Sequence, residues 1–493
     1  MPASDPRAAL HEHFGFTAFR PGQEEAVHAA LGGRDVLVVM PTGAGKSLCY
    51  QLPALIRKDL TLVVSPLVSL MEDQVRALAR RAPGRVAQVH AQQAAAVNEA
   101  AIASAARGDL RVLYVAPERF RARGFVRALA GARVGLFVVD EAHCVSEWGH
   151  DFRPDYFRLA DAARGLGAEA IVAATATATP ATAADIVARL ELREPARIAT
   201  GVDRPNLCWA VVPSAPRARA AQLVAALGLP GATPAIVYAA TRRGVERLAT
   251  RLARALARPV LAYHAGLERA ERSAAQQRFM DGDVDVIVAT DAFGMGIDKA
   301  SVRTVVHVTV PGSLEAYYQQ AGRAGRDGAP ARALLLAAAE DKRLQVTRLR
   351  RAEAGDELRR VRWSQHESIW SFVGTRCCRR TALLTHFGDP RKPAATAACC
   401  DNCDREVVPE AVRRAAKRRE AAPCDLPGTI LALVRAEPAI DPTVLTDVLR
   451  GVESEEVRRR RYDGLPGFGT LEHVTSEAVL AALDELGQEG VIR

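Results

Sequence analysis

A chain of 493 residues is long enough for about three domains at roughly 150 residues each, which excludes a single small binding module. Its 49% hydrophobic and 25% charged residues are ordinary for a globular protein and exclude a largely disordered one. The Lys and Arg excess gives a net charge of +9 and an isoelectric point near 9.3, a balance that suits a polyanionic partner such as nucleic acid.

The N-terminal segment MPASDPRAALHEHF lacks a basic stretch leading into an apolar run, and no eighteen apolar residues follow one another anywhere. The sequence therefore predicts a cytoplasmic protein with no membrane partner. Five of its nine cysteines (Cys377, Cys378, Cys399, Cys400 and Cys403) crowd into one short stretch, a distribution that fits a metal better than scattered disulfides.

From Asp35 to about Ala199, the Val- and Leu-rich runs DVLVVM, LTLVVSP, RVLYVAP, GLFVVD and AIVAATA alternate with Ala-, Arg- and Glu-rich helical stretches. The alternation predicts a parallel sheet covered by helices. It begins again after Pro205 with AIVYAAT, PVLAYHAG, VDVIVATD and VRTVVHV, separated by amphipathic segments such as RRGVERLATRLARAL. Two α/β domains in tandem are predicted, alike in architecture though not in sequence.

Within the first of them, the run Asp35 to Met40 leads into PTGAGKSLCY. Thr42, Gly43, Ala44, Gly45, Lys46 and Ser47 read as a phosphate-binding loop that opens a helix. Backbone N–H groups would cradle phosphates, Lys46 would neutralise the β/γ-phosphates and Ser47 would hold Mg²⁺. The run GLFVVDEAH then delivers Asp140 and Glu141 to the carboxyl edge of the sheet, Asp140 to orient Mg²⁺ and Glu141 to polarise the attacking water. In the second domain, YYQQAGRAGRDG would turn Gln320, Arg323 and Arg326 toward the first across a cleft, the two arginines as candidate arginine fingers.

Directly after DEAH comes CVSEWGHDFRPDY, which puts Trp148, His150, Phe152, Arg153 and Tyr156 on a loop beside the acids. Aromatics there can stack on bases at roughly 1–3 kcal/mol each, and Arg153 can meet a phosphate. A purely structural role, closing the local core, is the alternative for Trp148 and Phe152.

Beyond about Ala339 the chain turns helical and basic, with Arg348, Arg350, Arg351, Arg359, Arg360 and Arg362 ahead of the cysteine cluster. Cys400-x-x-Cys403 has the spacing of a tetrahedral zinc site, and four thiolates would leave no position open for water. A charged stretch, VRRAAKRREAAP, reads as a solvated linker or exposed helix, and three helical patterns surround the turn-rich YDGLPGFGT from Asp425 onward.

A phosphate loop, DEAH and QxxGRxGR together resemble a superfamily-2 helicase, and further segments resemble the RecQ family in particular. FGFTAFRPGQEEAV is similar to that family's adenine-recognition segment, a match that would lay Arg20 against the adenine and have Gln23 read its edge. SPLVSLMEDQV, YVAPERF, AATATA, AYHAGL and VATDAFGMGIDK are similar, in order, to the family's helicase motifs, and CCRRTALLTHFGD with ACCDNC to its zinc-binding subdomain. The resemblance runs from about Phe14 to Cys403. Three positions depart from it: Ala44 stands where another glycine is common, Ala174 precedes Thr175 in place of leucine, and Ala397 stands where some members begin a C-x-x-C-x-x-C run.

The resemblance implies two tandem RecA-like parallel-sheet domains (1–205 and 206–340), a helical zinc-binding subdomain (341–408), a charged linker (409–424) and a winged-helix-like domain (425–493) that stops before its wing. It adds His143 to the catalytic set of Lys46, Asp140, Glu141, Gln320, Arg323 and Arg326. Cys378, Cys399, Cys400 and Cys403 become the zinc ligands, with Cys377 a competitor for Cys378. The expected activity is ATP-dependent 3′ to 5′ DNA unwinding in repair and recombination by a monomer associated with the bacterial nucleoid. Its expected partners are single-stranded and duplex DNA, 3′-tailed or branched, and single-stranded-DNA-binding or repair proteins. An ATP-gated translocase or annealing factor is the alternative.

Overall fold

A computed structural model describes residues 5–489 apart from 147–152, 295–298, 352–354, 397, 418–425, 453, 466, 472, 473 and 475. The chain divides into two compact units, residues 1–212 with 227–409, and residues 213–226 with 410–493.

The larger unit holds two sheets. The first contains β1 (Val36–Val39), β2 (Leu60–Val64), β3 (Val86–Val89), β4 (Val112–Val115), β5 (Val134–Asp140), β6 (Ala170–Thr175) and β7 (Ala196–Ala199) in the order β3-β4-β2-β5-β6-β1-β7, every neighbouring pair parallel. Alternate residues of one strand enter two different cores: Leu37, Leu62, Phe137 and Ile171 on one face, Val36, Val38, Leu136 and Val172 on the other. With both faces buried, the strands read as continuous apolar runs without polar alternation, which is why the sequence exposes them.

The second sheet contains β8 (Leu207–Pro213), β9 (Ala235–Tyr238), β10 (Leu261–Tyr263), β11 (Val286–Ala289), β12 (Thr304–His307) and β13 (Ala331–Ala337) in the order β10-β11-β9-β12-β13-β8. Nine strands fall where the apolar runs place them. Four do not announce themselves: β3 and β7 are short edge strands with exposed or half-exposed positions, and β13, ARALLLA, is written in good helix formers. β8, LCWAVVP, lies directly behind the segment that connects the two sheets.

The core of the second sheet continues into the cysteine-bearing region. Ile236, Ile287, Val305 and Leu335 share one cluster with Phe372, Leu384, Phe387 and Cys400. Trp209 of β8 stacks on Tyr318 with ring centroids 5.8 Å apart, and Tyr317 packs on Phe372. The zinc-type segment is therefore built onto the second sheet.

The smaller unit carries helices Leu426–Ala436, Pro442–Arg450, Glu455–Arg459 and Ser476–Gln488 around Ile430, Leu433, Val448, Leu449, Val479 and Leu483. Helix Arg219–Leu227 groups mainly with it, and the start of the charged stretch after 409 is helical over Glu410–Lys417. Among the described residues no helix is long and apolar enough to cross a membrane.

Candidate active site and metal centre

β1 ends at the phosphate-type loop, and helix Leu48–Ile56 begins where it stops. Gly43 and Gly45 take φ of +85° and +86°, a region that costs other residues about 1–2 kcal/mol. Ala44 between them is not among the positive-φ residues, so a methyl group there strains nothing and the departure from glycine has no backbone cost. Lys46 Nζ donates to Met40 O at 3.1 Å. Arg20 Nη1 donates to Gly43 O at 2.7 Å, and the buried Gln23 gives its Nε2 to Ala44 O and Gly45 O at 3.2 and 3.1 Å while its Oε1 accepts from Arg20 N. The segment 20–23 thus holds the loop by its carbonyls.

β5 places Asp140 at its carboxyl end, beside Lys46 in charge if not in hydrogen bonding. Burial lowers the Lys46 ammonium, against the raising effect of Glu141 and Asp140, and Arg326 adds to the lowering. Burial first, then the charge of Glu141, pushes the Asp140 carboxyl up to about 7 against the pull of Lys46. Glu141 sits at φ +49°, which turns the chain away from the sheet at the acidic pair. His143 Nδ1 lies 3.0 Å from Thr175 Oγ1 and 3.4 Å from Glu141 Oε2. Thr175 in turn accepts from Met40 N through its carbonyl, joining β6 to the loop.

The sequence reading passed over the polar side chains behind Asp140. Tyr50 OH reaches Asp140 Oδ2 at 3.4 Å and Gln74 Oε1 at 3.2 Å, and Tyr114 OH donates to the same Gln74 oxygen at 2.9 Å. All three lie inside or at the end of quoted motifs; their signal was a tyrosine or glutamine in an otherwise apolar setting.

From the second sheet's domain, Arg326 comes to the phosphate-type loop: a Cβ built on Gly43 would sit 3.4 Å from Arg326 Cγ. Arg323 does not come as near. It is buried, bonds Tyr238, and its Nη2 lies 3.6 Å from where a Cβ on Gly294 would be. Gln320 Oε1 is held by His307 Nε2 at 2.8 Å, and burial pushes His307 down to about 4, so the ring is neutral. Past the carboxyl ends of β9, β11 and β12 opens a cavity of about 730 Å³, lined by Gln320, Arg323 and Asp291 and, from the first domain, by Leu67 and Arg153.

Trp148, His150 and Phe152 lie outside the described residues. On the far flank of that stretch Arg153 Nη1 donates to Pro66 O at 3.0 Å, Arg153 N to Cys144 O at 3.0 Å and Tyr156 OH to Asp140 O at 3.3 Å.

The sulfurs of Cys378, Cys399, Cys400 and Cys403 all lie within 4.8 Å of one another, with Cys378–Cys399 at 3.4 Å, Cys400–Cys403 at 3.5 Å and Cys378–Cys400 at 4.0 Å. Tetrahedral zinc with Zn–S bonds of about 2.3 Å requires sulfurs about 3.8 Å apart, so this donor set fits the ion. Cys377 is exposed and not in the group; its carbonyl accepts from Asn402 Nδ2. Ala397 lies outside the described residues.

Two RecA-like sheets that bring a phosphate loop, an acidic pair and an arginine loop into one unit define a nucleotide-driven motor of the helicase class. Residues 20–186 match the DEAD/DEAH box helicase family, 220–328 the helicase conserved C-terminal domain and 339–404 the RecQ zinc-binding family. The chain is 37% identical over 464 residues to the ATP-dependent DNA helicase RecQ of Haemophilus influenzae, covering 94% of this chain and 72% of that one. It is 33% identical over 489 residues to RecQ of Bacillus subtilis, covering 99% and 80%. The chain belongs to the RecQ family of ATP-dependent DNA helicases. Its fold is also that of the DUF1998 helicase MrfA bound to DNA, with a TM-score of 0.57 at 20% identity over 69% of this chain and 51% of the other.

Proposed function

We propose that this protein couples ATP hydrolysis to 3′ to 5′ movement on single-stranded DNA and to separation of the duplex ahead, in repair and recombination. The observation that carries the reading is the approach of Arg326 to Gly43, which puts a cation of the second domain at the phosphate loop of the first.

In this reading Thr42 to Ser47 hold the phosphates, Lys46 neutralises them, and Ser47 and Asp140 hold Mg²⁺, which supplies charge neutralisation when bound. Glu141 orients the attacking water and His143, fixed by Thr175, holds Glu141 in place. Arg326 stabilises charge at the γ-phosphate. Gln320 and Arg323, which line the cavity, belong to the same catalytic set, Arg323 as the second candidate arginine finger. Arg20 and Gln23 hold the adenine and, through the carbonyls of Gly43, Ala44 and Gly45, the loop beneath it. The aromatic loop carrying Trp148, His150 and Phe152 senses DNA, and Arg153 and Tyr156 pass its position to Pro66 and Asp140.

Cys378, Cys399, Cys400 and Cys403 hold a structural zinc. In this reading the two RecA-like domains end near 205 and 340, the zinc-binding subdomain near 408 and the charged linker near 424, with the winged-helix-like domain after it. The protein works in the bacterial cytoplasm at the nucleoid as a monomer on 3′-tailed or branched DNA, beside single-stranded-DNA-binding or repair proteins.

The test is ATP hydrolysis with no nucleic acid, single-stranded DNA, duplex DNA and RNA, alongside unwinding of a 3′-tailed duplex. Stimulation by single-stranded DNA with tail-dependent unwinding supports the reading; stimulation without unwinding makes the protein a translocase, and preference for RNA overturns the DNA assignment.

A further inference from the structure

The two sheets are joined by the segment 200–206, and every residue of it but Pro205 is gripped by a side chain or grips one. On its first half most side-chain partners come from the cysteine-bearing module, the exception being Tyr318 OH, which donates to Val202 O at 2.6 Å. Arg391 Nη2 donates to Thr200 O at 2.7 Å, and Asp389 Oδ2 accepts from Val202 N at 3.1 Å. Arg380, 2% exposed, pairs with Asp203 through Nε at 2.9 Å and Nη2 at 2.6 Å, and Asp203 also accepts from Ala394 N at 3.0 Å. Gly201, at φ +87°, lies so close under Arg391 that a Cβ there would overlap its Nη2 at 0.9 Å.

The second half of the same segment reaches the other way. Arg204 Nη1 donates to Gly322 O at 3.0 Å, and its Nη2 to Ala324 O and Gly325 O at 3.0 and 3.1 Å. Asn206 Nδ2 donates to Gly325 O and Ala329 O at 2.7 and 2.9 Å. All of these carbonyls but that of Ala329, the next residue, belong to the backbone of GRAGRDG, the turn that carries Arg323 and Arg326. One guanidinium and one amide thus make four donor–acceptor contacts on that turn and a fifth just past it.

At its far end the path starts beside the sulfur cluster. Arg380 Nη1 lies 3.9 Å from Cys399 Sγ and donates to Thr396 Oγ1 at 3.0 Å. The sulfur of Cys399 and the carboxylate of Asp203 are both partners of one buried guanidinium, whose planar fork permits little movement of either.

We propose that Arg204 and Asp203 are positioning residues: the connector is a strut through which the cysteine-bearing module sets the backbone of the Arg323–Arg326 turn and so the placement of Arg326 at the phosphate loop. The inference rests on the motor reading above, and it gives the zinc module a part in hydrolysis separate from holding the fold. A strut of this kind acts on the step that Arg326 serves and leaves nucleotide binding by Thr42 to Ser47 alone. Misplacing a catalytic group by about 1 Å costs on the order of 100-fold in rate.

The experiment uses the full, zinc-loaded chain and the variants Arg204→Ala, Asp203→Asn and the two combined. Zinc content, thermal unfolding, affinity for a single-stranded oligonucleotide, and kcat and KM for ATP with and without that oligonucleotide are measured on each. We expect zinc content equal to the parent's, KM within about twofold, and kcat lower by about 10-fold to 100-fold in each single variant. The double variant should be no slower than the worse single one, because both lie on one path. Arg204→Lys, with one nitrogen for three carbonyls, should recover part of kcat and replaces Arg204→Ala if that variant does not fold. A kcat within about twofold of the parent in folded variants overturns the proposal. So does a loss that falls on KM or follows loss of zinc, and so do losses that multiply in the double variant. The parent's own response to DNA tests the motor reading; the strut is read from the ratio of variant to parent kcat, with or without DNA, so the two fail separately.

Discussion

The side chain of Arg326 lies along Gly43, with Cγ, Cδ and Cβ at 3.4, 3.6 and 3.7 Å from the point where a glycine Cβ would be. A Cβ there would rest on the arginine in ordinary van der Waals contact, so it is the +85° φ of Gly43 that disfavours a side chain.

Gly43→Ala is therefore expected to cost about 1–2 kcal/mol in backbone strain with Arg326 left in place. Gly45→Ala should be more harmful, since at φ +86° it carries the same strain and its Cβ would also come within 2.4 Å of Gln23 Nε2. Ala44→Gly, one residue from each, should change stability by less than about 1 kcal/mol. Nucleotide affinity and thermal unfolding of the three variants check the order; an Ala44→Gly variant as impaired as the other two would contradict it.

Glu141→Gln should lower kcat by about 10²- to 10³-fold with ATP affinity retained, because it removes charge where the water is oriented and leaves the phosphate contacts in place. Tyr50→Phe removes only a neutral hydroxyl 3.4 Å from Asp140 Oδ2. Its effect should be roughly 5-fold, the worth of one ordinary hydrogen bond of about 1 kcal/mol. Steady-state ATPase kinetics on both variants separates the two, and a Tyr50→Phe loss as large as that of Glu141→Gln would make the hydroxyl far more than a support.

What could be read from the sequence follows from how each feature is encoded. Strands such as VLVV at 36–39 and GLFVVD at 135–140 are buried on both faces and so are written in apolar residues alone, while the edge strand ARIA at 196–199 alternates and is lost among helix-like neighbours. Gly43, Lys46, Asp140 and Glu141 sit in contiguous motifs, because a strand end delivers them together. His307 and Arg204 bear on Gln320 and the 322–325 backbone from distances of 13 and 118–121 residues, and no local pattern marks them. The distinction between Arg323 and Arg326 is likewise tertiary: one turn carries both, and only the fold sends Arg326 to Gly43 and Arg323 to Tyr238.

His307 gives the protein an acid-sensitive contact. Burial pushes its ring from the ordinary 6.5 down to about 4, so between these values the unfolded chain takes up a proton that the folded chain refuses. Its contribution to stability is intact above pH 6.5 and is lost as pH falls toward 4. From pH 7.5 to pH 5 the loss is about 2 kcal/mol. Urea unfolding at both pH values should show His307→Asn losing about that much less than the parent. Equal losses in the two proteins would mean that the ring is not held neutral in the fold.

The two adjacent cysteines at the head of the metal cluster give opposite expectations. Cys378 Sγ stands 3.4 Å from Cys399 Sγ, whereas Cys377 is exposed and contributes its carbonyl to Asn402. Cys377→Ser should keep one zinc per chain and unfold with the parent. Cys400→Ser should lose the ion, and the damage should spread to the second sheet. The backbone of Trp209 in β8 donates to Cys399 O at 3.2 Å and accepts from Asp401 N at 3.2 Å, so a single parallel bridge ties the cysteine loop to the edge of the sheet. Loss of a structural metal from such a site is worth about 4 kcal/mol or more, large enough to appear as a separate, earlier unfolding step. Zinc released on thiol modification, counted per chain, and the unfolding curves of both variants decide the matter: zinc lost from Cys377→Ser and kept by Cys400→Ser would reverse the ligand assignment.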